Sequence, residues 1–396
     1  MLLARRPLSL LLLVLALLAA APIQAMPQLL IDMRTNEVLH ARDADVPWHP
    51  ASLTKLMTAL IAFEAIETGQ ASLSTPVITS ANALSVAPSK LGLPEGTAIS
   101  LEDALYFLIV KSANDIAVAI GETIAGSEPA FVAMMNARAQ MMGLDGTYFV
   151  NPHGLHEPAQ VTTARDMAMI ALTIRARFPQ YDTMFSTRTV EAGQSRSHAN
   201  NELLTGFAGT DGMKTGYVCA SGLNIVATAT RSGRQLMAVV LGANSSRERG
   251  EMTAQMLFSG FAGGYRGMGM TVTQIANRPG LIAVDMRADI CGANAANYRA
   301  ERIAEFPLGL EGQMSYLTDT IVPPTHRATI LGRLASNVPL PRPRPAMAGG
   351  PVPMMAAGSA AGEIAYGDSS IVSLTPNQPP ASVPGVPLPR PRPLGL

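Results

Sequence analysis

The stretch WHPASLTKLMTALIAFEA, residues 48–65, joins a proline-bounded start to a long apolar run. After Pro50, apolar residues recur at helical spacing: Leu53, Leu56, Met57, Leu60, Ile61 and Ala65. This spacing predicts a well-buried helix of about four turns. Ser52 stands at its start and Lys55 follows three residues later, so both side chains lie on one helix face. The fold must therefore enclose a serine and a lysine beside a buried helix.

Upstream of this helix the sequence patterns are extended. Downstream of it they are first helical and then extended. Two short strands are predicted upstream, at Gln28–Asp32 and Glu37–Ala41. Helical patterns follow at Leu101–Val110, Asp115–Ile124, Pro129–Met142 and Ala164–Arg177. Strand patterns come next at Arg188–Glu191, Gly212–Tyr217, Asn224–Thr230 and Gln235–Gly242, before a last helix at Arg247–Phe261. Strands at both ends with helices between predict an α/β (α+β) domain over residues 26–265, in which one sheet lies beside a helical lobe.

Composition excludes several classes of function. The 396 residues include 29 Lys+Arg and 29 Asp+Glu, so the formal net charge is zero, and only 15% of residues are charged. A neutral, charge-poor chain lacks the basic footprint of a nucleic-acid-binding protein, so we expect no nucleic-acid partner. The six histidines fit no metal-ligand spacing such as H-E-x-x-H, so we expect no metal site and no cofactor.

Residues 1–25 have the composition of a secretory signal peptide. Arg5 and Arg6 precede an apolar run from Leu10 to Ala21, and the small residue Ala25 stands at the expected cleavage position. The alternative is a membrane anchor, but the apolar run is shorter than the ~20 residues that a spanning helix needs. We therefore expect export to the periplasm, with the mature chain soluble or peripheral at the inner membrane.

Export affects the expected oxidation state of the two cysteines, Cys219 and Cys291. In an oxidising compartment they are candidates for one structural disulfide. The alternative is two buried free thiols, which pack like small apolar residues. The sequence leaves both open, because geometry decides whether two cysteines can be joined.

Beyond the last predicted helix the sequence changes character twice. Residues 266–335 contain short apolar runs and are predicted to form a small appendage on the main domain. Residues 336–396 are rich in Pro, Ala and Gly and cannot bury enough apolar surface to fold, so we expect a disordered tail. The octapeptide VPLPRPRP occurs in it twice, at 338–345 and 386–393. Such Pro-Arg segments suit a spacer or a ligand for an unknown partner.

The first of three chemical motifs is Ser52-Leu53-Thr54-Lys55. The chain has only four lysines against 25 arginines, and lysine can lose its proton when burial or a nearby cation lowers its pKa. A neutral Lys55 can take the proton of Ser52, whose hydroxyl is otherwise a poor nucleophile. A helix-capping serine followed by an unrelated lysine would give the same four residues.

The second motif, Ser112-Ala113-Asn114, lies where one helical pattern stops and another begins. A loop serine and asparagine that point at one spot can shuttle a proton and hold an amide carbonyl. A simple helix cap is the alternative interpretation of this tripeptide.

The third motif, Lys214-Thr215-Gly216, lies on a predicted edge strand. Lys214 supplies a positive charge and Thr215 a hydroxyl, both suited to a substrate carboxylate. Gly216 lets a substrate backbone approach the strand closely. The backbone N–H of Tyr217 can complete an oxyanion hole. An isolated Lys-Thr-Gly would more often be a turn.

In this order and with these gaps, the three motifs resemble those of penicillin-binding proteins and class A β-lactamases. Four longer segments resemble one branch, the low-molecular-mass D-alanyl-D-alanine carboxypeptidases of serine peptidase family S11: residues 48–55, 151–155, 162–167 and 210–217. The resemblance covers about residues 26–262. It implies a β-lactamase/transpeptidase-like fold, with an antiparallel sheet flanked by helices and a helical lobe.

The resemblance also implies a role for each motif. Ser52 is the acylated nucleophile, Lys55 its base and Ser112 the proton relay to the leaving group. Asn114 holds the substrate amide, and Lys214 with Thr215 anchors the terminal carboxylate. The implied reaction is acylation of Ser52 by the penultimate D-alanine of a peptidoglycan stem peptide, loss of the terminal D-alanine, and hydrolysis. β-Lactams would then be covalent inhibitors, and the cation Lys214 would help keep Lys55 neutral.

Two departures from the branch stand out. Tyr217 occupies the position where many of these carboxypeptidases have histidine, which bears on deacylation. The last residues form Pro-Arg repeats in place of the amphipathic membrane anchor common in the branch.

Other functions remain open on sequence alone. A DD-endopeptidase that cuts D-Ala cross-links uses the same residues. A β-lactamase needs a glutamate-activated water for deacylation, and residues 151–163 offer only Glu157. A non-catalytic peptidoglycan-binding or scaffold protein working through the Pro-Arg tail would not need the intact motifs.

Overall fold

The apolar run that follows Pro50 forms a helix because burial surrounds it on every side. The structure is a computed structural model that describes residues 26–278 and 280–333. Residues Ala51–Thr54 form a short 3₁₀ turn, and Lys55–Glu67 continue as an α-helix whose residues from Lys55 to Phe63 are all buried. A helix that is apolar all round belongs at the centre of a domain. The predictions for residues 1–25 and for the tail with its partner lie outside the described residues.

Helices begin where a serine or threonine can satisfy an otherwise unpaired backbone N–H. Ser100, Thr163 and Ser245 each accept a hydrogen bond from the N–H three residues later. The helices are α1 (Lys55–Glu67), α2 (Ala81–Ser85), α3 (Leu101–Tyr106), α4 (Asn114–Ala125), α5 (Glu128–Met141), α6 (Ala164–Arg177), α7 (Asp182–Ser186), α8 (Leu203–Gly206), α9 (Ser246–Phe261), α10 (Arg287–Ile290) and α11 (Ala295–Glu305).

Strands from the two ends of the domain meet in one antiparallel sheet of order β2-β1-β9-β8-β7. The strand β1, which comes first in the chain, lies between β2 and β9. The strands are β1 (Gln28–Asp32), β2 (Glu37–Arg42), β3 (Pro76–Ile78), β4 (Thr97–Ser100), β5 (Thr189–Ala192), β6 (Ser195–His198), β7 (Thr210–Val218), β8 (Gly222–Arg231), β9 (Arg234–Ala243), β10 (Thr325–Arg327) and β11 (Ile330–Arg333). The motif strand β7 is therefore an edge strand of this sheet.

The sheet lies between two apolar cores. Successive residues of a strand point to opposite faces. Leu29 and Ile31 accordingly join the larger core with α1, α4 and α6, whereas Leu30 joins a smaller core with α9. Burial on both faces fixes the register of the sheet, because a shift by one residue would exchange the two cores.

The C-terminal segment, residues 266–333, lies on the main domain. A disulfide joins Cys219 to Cys291. The strand β10 pairs in parallel with β5, and β11 pairs antiparallel with β4. The segment predicted as an appendage therefore contributes strands to two small sheets of the domain, rather than forming a sheet of its own.

In the described part of the chain, no single helix has both the length and the apolar composition to cross a bilayer. The pair α4 and α5 meets these criteria jointly, with an 84° bend between the two helices. Both contribute buried side chains to the larger core, among them Ile116, Ile120 and Phe131.

Candidate active site

Ser52 lies in the 3₁₀ turn that precedes the buried helix α1. Its neighbour Ala51 has a left-handed backbone (φ +48°), an uncommon conformation for a residue with a side chain. The loop residue Gly154 packs against this turn so closely that a Cβ there would lie 1.9 Å from the carbonyl oxygen of Ala51. The turn that presents Ser52 is therefore held from outside as well as by α1.

The amine of Lys55 makes three contacts at the start of α1. Its Nζ lies 3.0 Å from Ser52 Oγ, 2.7 Å from Asn114 Oδ1 and 2.5 Å from the carbonyl oxygen of His153. Lys55 itself is fully buried. Burial, and next the positive charge of Lys214, hold the pKa of Lys55 well below its ordinary value, with Asp115 opposing in part. Both effects favour the neutral form of the amine.

Ser112 occupies a break between two helices. The predicted helix Leu101–Val110 is in fact α3 followed by a π-helical turn, Phe107–Lys111, a distortion often found at functional sites. Ser112 ends this turn with a left-handed backbone (φ +61°), and α4 begins two residues later at Asn114. The Oγ of Ser112 is buried and has no hydrogen-bond partner among the described residues, although the side chain lines the cleft beside Ser52. A buried hydroxyl without a partner is costly, so a partner is expected to come from substrate or water.

The opposite wall of the cleft is the edge strand β7. Lys214 is buried, and its Nζ donates to the carbonyl oxygen of Thr215 at 2.8 Å. Burial, and next the positive charge of Arg249, lower the pKa of Lys214 to about 7. Near neutral pH this side chain therefore exchanges between a charged and a neutral form.

Gly216 brings β7 against the turn that carries Ser52. A Cβ at Gly216 would lie 2.9 Å from the backbone nitrogen of Ser52 and 3.0 Å from the carbonyl oxygen of Pro50. Only glycine allows this approach without displacing the turn. Tyr217 follows with its side chain 51% exposed at the rim of the cleft, and its hydroxyl lies 3.2 Å from the Sγ of Cys291.

The three motifs meet in one cleft of about 410 Å³. Its lining includes Ser52, Ser112, Asn114, Thr215, Gly216 and Tyr217. Lys55 lies directly beneath Ser52 through their hydrogen bond. The catalytic and substrate-binding residues that the sequence singled out therefore line this cleft or, in the case of Lys55 and Lys214, lie buried in its walls, although they come from stretches more than 150 residues apart.

Two groups at the cleft were missed by the sequence motifs. One is Arg249 of α9, a buried side chain that lines the cleft and holds Glu202 at 2.6 Å. The other is the carbonyl of His153, an acceptor for Lys55. Burial, followed by the charge of Lys55, lowers the pKa of the His153 ring to about 3, so that ring is neutral. Arg249 stands alone in a helix, and a backbone carbonyl has no sequence signature.

Within residues 26–278 and 280–333, no group of three or more His, Cys, Asp and Glu side chains is placed to hold a metal ion.

With this geometry established, the chain was compared with known proteins. The peptidase S11 family model, described as D-alanyl-D-alanine carboxypeptidase, matches residues 16–245. The chain belongs to the peptidase S11 family. The family prediction made from the four segments is thereby confirmed.

Two curated relatives have similar sequence identities to this chain. D-alanyl-D-alanine carboxypeptidase DacD of Salmonella typhimurium is 36% identical over 235 residues, which cover 58% of this chain and 60% of that protein. D-alanyl-D-alanine carboxypeptidase DacC of Escherichia coli is 32% identical over 249 residues, covering 61% of this chain and 62% of that protein. The chain thus matches about three fifths of the length of these relatives.

Solved S11-like structures share the fold. D-alanyl-D-alanine carboxypeptidase DacD from Francisella tularensis gives a TM-score of 0.58 at 28% identity, over 62% of this chain and 72% of that chain. Penicillin-binding protein D2 from Listeria monocytogenes, in its ampicillin-bound form, gives 0.54 at 26% identity, over 59% of this chain and 96% of that chain. The fold class predicted from the sequence is therefore confirmed.

Proposed function

We propose that this S11 protein is a serine-type D-alanyl-D-alanine carboxypeptidase, which removes the terminal D-alanine from peptidoglycan pentapeptide stems. The observation that carries the proposal is the buried amine of Lys55, 3.0 Å from the hydroxyl of Ser52. The relatives that the chain matches are named D-alanyl-D-alanine carboxypeptidases, and this supports the same substrate.

The contacts of Lys55 explain how it can act as a base. A neutral amine has two N–H donors and one lone pair. The Oδ1 of Asn114 and the carbonyl of His153 can only accept, so they take the two donors. The lone pair then faces Ser52 Oγ and receives its proton during attack. Both acceptors are fixed to the fold, which keeps the lone pair aligned.

The sheet wall orients the peptide for this attack. Thr215 and the charged form of Lys214 hold the terminal carboxylate, and Arg249 adds positive charge on the same side. The backbone N–H groups of Ser52 and Tyr217 stabilise the oxyanion that develops on the scissile carbonyl.

The placement of these groups around the scissile peptide bond determines which bonds form and which break. The bond between Ser52 Oγ and the penultimate carbonyl carbon forms, and the bond from that carbon to the nitrogen of the terminal D-alanine breaks. The proton taken by Lys55 passes through the Ser112 hydroxyl to the departing amine. Water then adds to the ester and releases the shortened stem, which regenerates the Ser52 hydroxyl. β-Lactams would acylate Ser52 in the same way and remain attached.

A β-lactamase function is less well supported. Its deacylation needs a carboxylate that activates water beside the acyl-enzyme. Glu157, the one glutamate in residues 151–163, is exposed and is not part of the cleft lining.

We further propose that the protein works in the periplasm after removal of residues 1–25. The sequence of that leader and the Cys219–Cys291 disulfide, which requires an oxidising compartment to persist, support this location. The test is N-terminal sequencing of protein recovered from the periplasmic fraction, with residue 26 expected first. A chain recovered intact from the membrane fraction would contradict it.

The decisive test of activity is release of D-alanine from a synthetic pentapeptide stem. Wild-type protein should release D-alanine and be labelled by a fluorescent penicillin, and Ser52→Ala should do neither. Absence of both reactions in the wild type would favour a scaffold. Cleavage of a cross-linked stem dimer faster than the monomeric pentapeptide would favour the endopeptidase.

A further inference from the structure

The end of the C-terminal segment packs beside α3, and we name its residues 325–333 the strap. Its first strand, β10, pairs in parallel with β5, and its second strand, β11, pairs antiparallel with β4. The strand β4 ends at Ser100, and α3 begins at the next residue. The S11 match ends at residue 245, so the strap lies outside it. A part of the chain beyond the family match therefore lies next to the helix that leads to Ser112.

The strap satisfies both carboxylate oxygens of Asp103, which lies in the first turn of α3. The Nε2 of His326 lies 2.7 Å from Asp103 Oδ1, and the backbone N–H of Thr329 donates to Oδ2 at 3.1 Å. Asp103 is only 6% exposed. A buried carboxylate is costly without hydrogen-bond partners, so these two contacts hold α3 and the strap together.

The ring of His326 also stacks on Tyr106, the last residue of α3. The two ring centroids are 3.5 Å apart, and the ring planes are 5° from parallel. Tyr106 is buried, and the π-helical turn that leads to Ser112 begins at the next residue, Phe107. One side chain of the strap therefore contacts α3 both in its first turn and where the π-helical turn begins.

Ser112 depends on its backbone for its position. Its Oγ has no hydrogen-bond partner among the described residues, so no contact of the hydroxyl itself orients the side chain. A left-handed backbone (φ +61°) is strained in a residue with a side chain, and it persists only where the surrounding structure enforces it. The π-helical turn follows α3 directly and packs against β5 and β6. The strap contacts both supports of this turn, because it binds α3 and pairs with β5.

We infer that His326 is a positioning residue for Ser112, and that the strap thereby controls the proton relay. The inference rests on the proposed function, in which the Ser112 hydroxyl passes a proton to the departing amine. His326 is not part of the cleft lining, so it acts through α3 and the π-helical turn. A displaced relay slows the step that needs its proton, even where the peptide still binds.

The test compares two substrates that differ only in the leaving group. One is the pentapeptide stem, and the other is the same stem with sulfur in place of the scissile nitrogen. A thiolate can leave without a proton, whereas the amine must receive one. The quantity measured is the ratio of kcat/KM for the amide to kcat/KM for the thioester, which does not depend on the fraction of protein that is folded.

His326→Ala should lower this ratio by about tenfold, and Ser112→Ala should lower it by about 10²-fold. His326→Gln, whose side-chain amide can still donate to Asp103, should stay within about threefold of the wild-type ratio. The matched control is Arg327→Ala, because Arg327 is the next residue of β10 and its side chain is 88% exposed. This control should keep the wild-type ratio.

The outcomes separate the inference from the proposed function. A wild-type ratio in His326→Ala, with a lowered ratio in Ser112→Ala, would overturn the inference and leave the proposed function intact. Should His326→Ala fail to fold, His326→Phe replaces it with the same expected fall, because its ring can still stack on Tyr106 but cannot donate to Asp103. A wild-type protein that cleaves neither substrate and is not labelled by penicillin would overturn the proposed function and the inference together.

Discussion

The helical wall and the sheet wall of the cleft each contain a buried lysine, but the two lysines have different surroundings. Lys55 on the helical wall contacts two carbonyl acceptors and a hydroxyl, next to a second positive charge. Lys214 on the sheet wall donates to one carbonyl, and its pKa falls to about 7. Burial lowers both pKa values, and under the proposed function the different contacts suit one amine to act as a base and the other to act as a cation.

The largest expected effect comes from removing the base. Lys55→Arg places a fixed positive charge there and cannot accept a proton, because arginine stays charged at any accessible pH. We expect the acylation rate with a fluorescent penicillin to fall by about 10⁴-fold. The rate should fall equally in Lys55→Met, which removes the amine altogether. Retention of more than a tenth of the wild-type rate by either variant would mean that Lys55 is not the base.

A smaller effect is expected at Ser112, because the proposed function gives it the relay of a proton rather than the initial attack. Ser112→Ala should reduce kcat for D-alanine release by about 10²-fold with little change in KM. The matched control is Ser186→Ala, a half-buried serine at the end of α7 that does not line the cleft. If the two variants behaved alike in a steady-state assay, the relay role would be excluded.

The sheet wall should show its own pH dependence. Under the proposed function the substrate carboxylate needs charged Lys214, and this charge is lost as pH rises through about 7 in the unliganded protein. kcat/KM should therefore fall on the basic side from near that pH, while protonation of Lys55 reduces it on the acidic side. Lys214→Gln should raise KM by about 30-fold and remove the basic limb. A wild-type profile that is flat from pH 6 to 9 would contradict the assignment.

The smallest effect on chemistry should come from the disulfide, which lies outside both walls. Its two cysteines are 72 residues apart in sequence, so the bond restricts a long loop of the unfolded chain. Replacing both cysteines by alanine should lower the free energy of unfolding by about 3 kcal/mol, measured by urea denaturation. The rate of penicillin labelling should change by less than about threefold, because Ser52 and Lys55 are positioned by α1. A tenfold loss would show that the walls depend on this bond.

Much of this arrangement was predictable from local patterns. The strands β8 and β9 and the helices α1, α4 and α6 follow their apolar periodicity because both sides of the sheet are buried. The sites of Ser52, Lys55 and Lys214 were predictable because each lies in a motif whose spacing reflects its chemistry.

Other features depend on contacts that periodicity does not encode. The π-helical turn before Ser112 interrupts an apolar pattern that remains continuous in sequence. Arg249 becomes part of the cleft only because α9 packs on the strands β8 and β9 of the sheet. The C-terminal segment has weak patterns of its own, since its strands β10 and β11 are stabilised by pairing with β5 and β4.

The position of β7 at the rim has a consequence for solubility and selectivity together. A bare outer strand is a template on which other proteins can add strands and aggregate. Here the Ser52 turn is pressed against Gly216 and covers that part of the edge. If a substrate peptide pairs with the rest of the edge through its own amide groups, N-methylation next to the scissile bond should prevent turnover even where every side chain is retained.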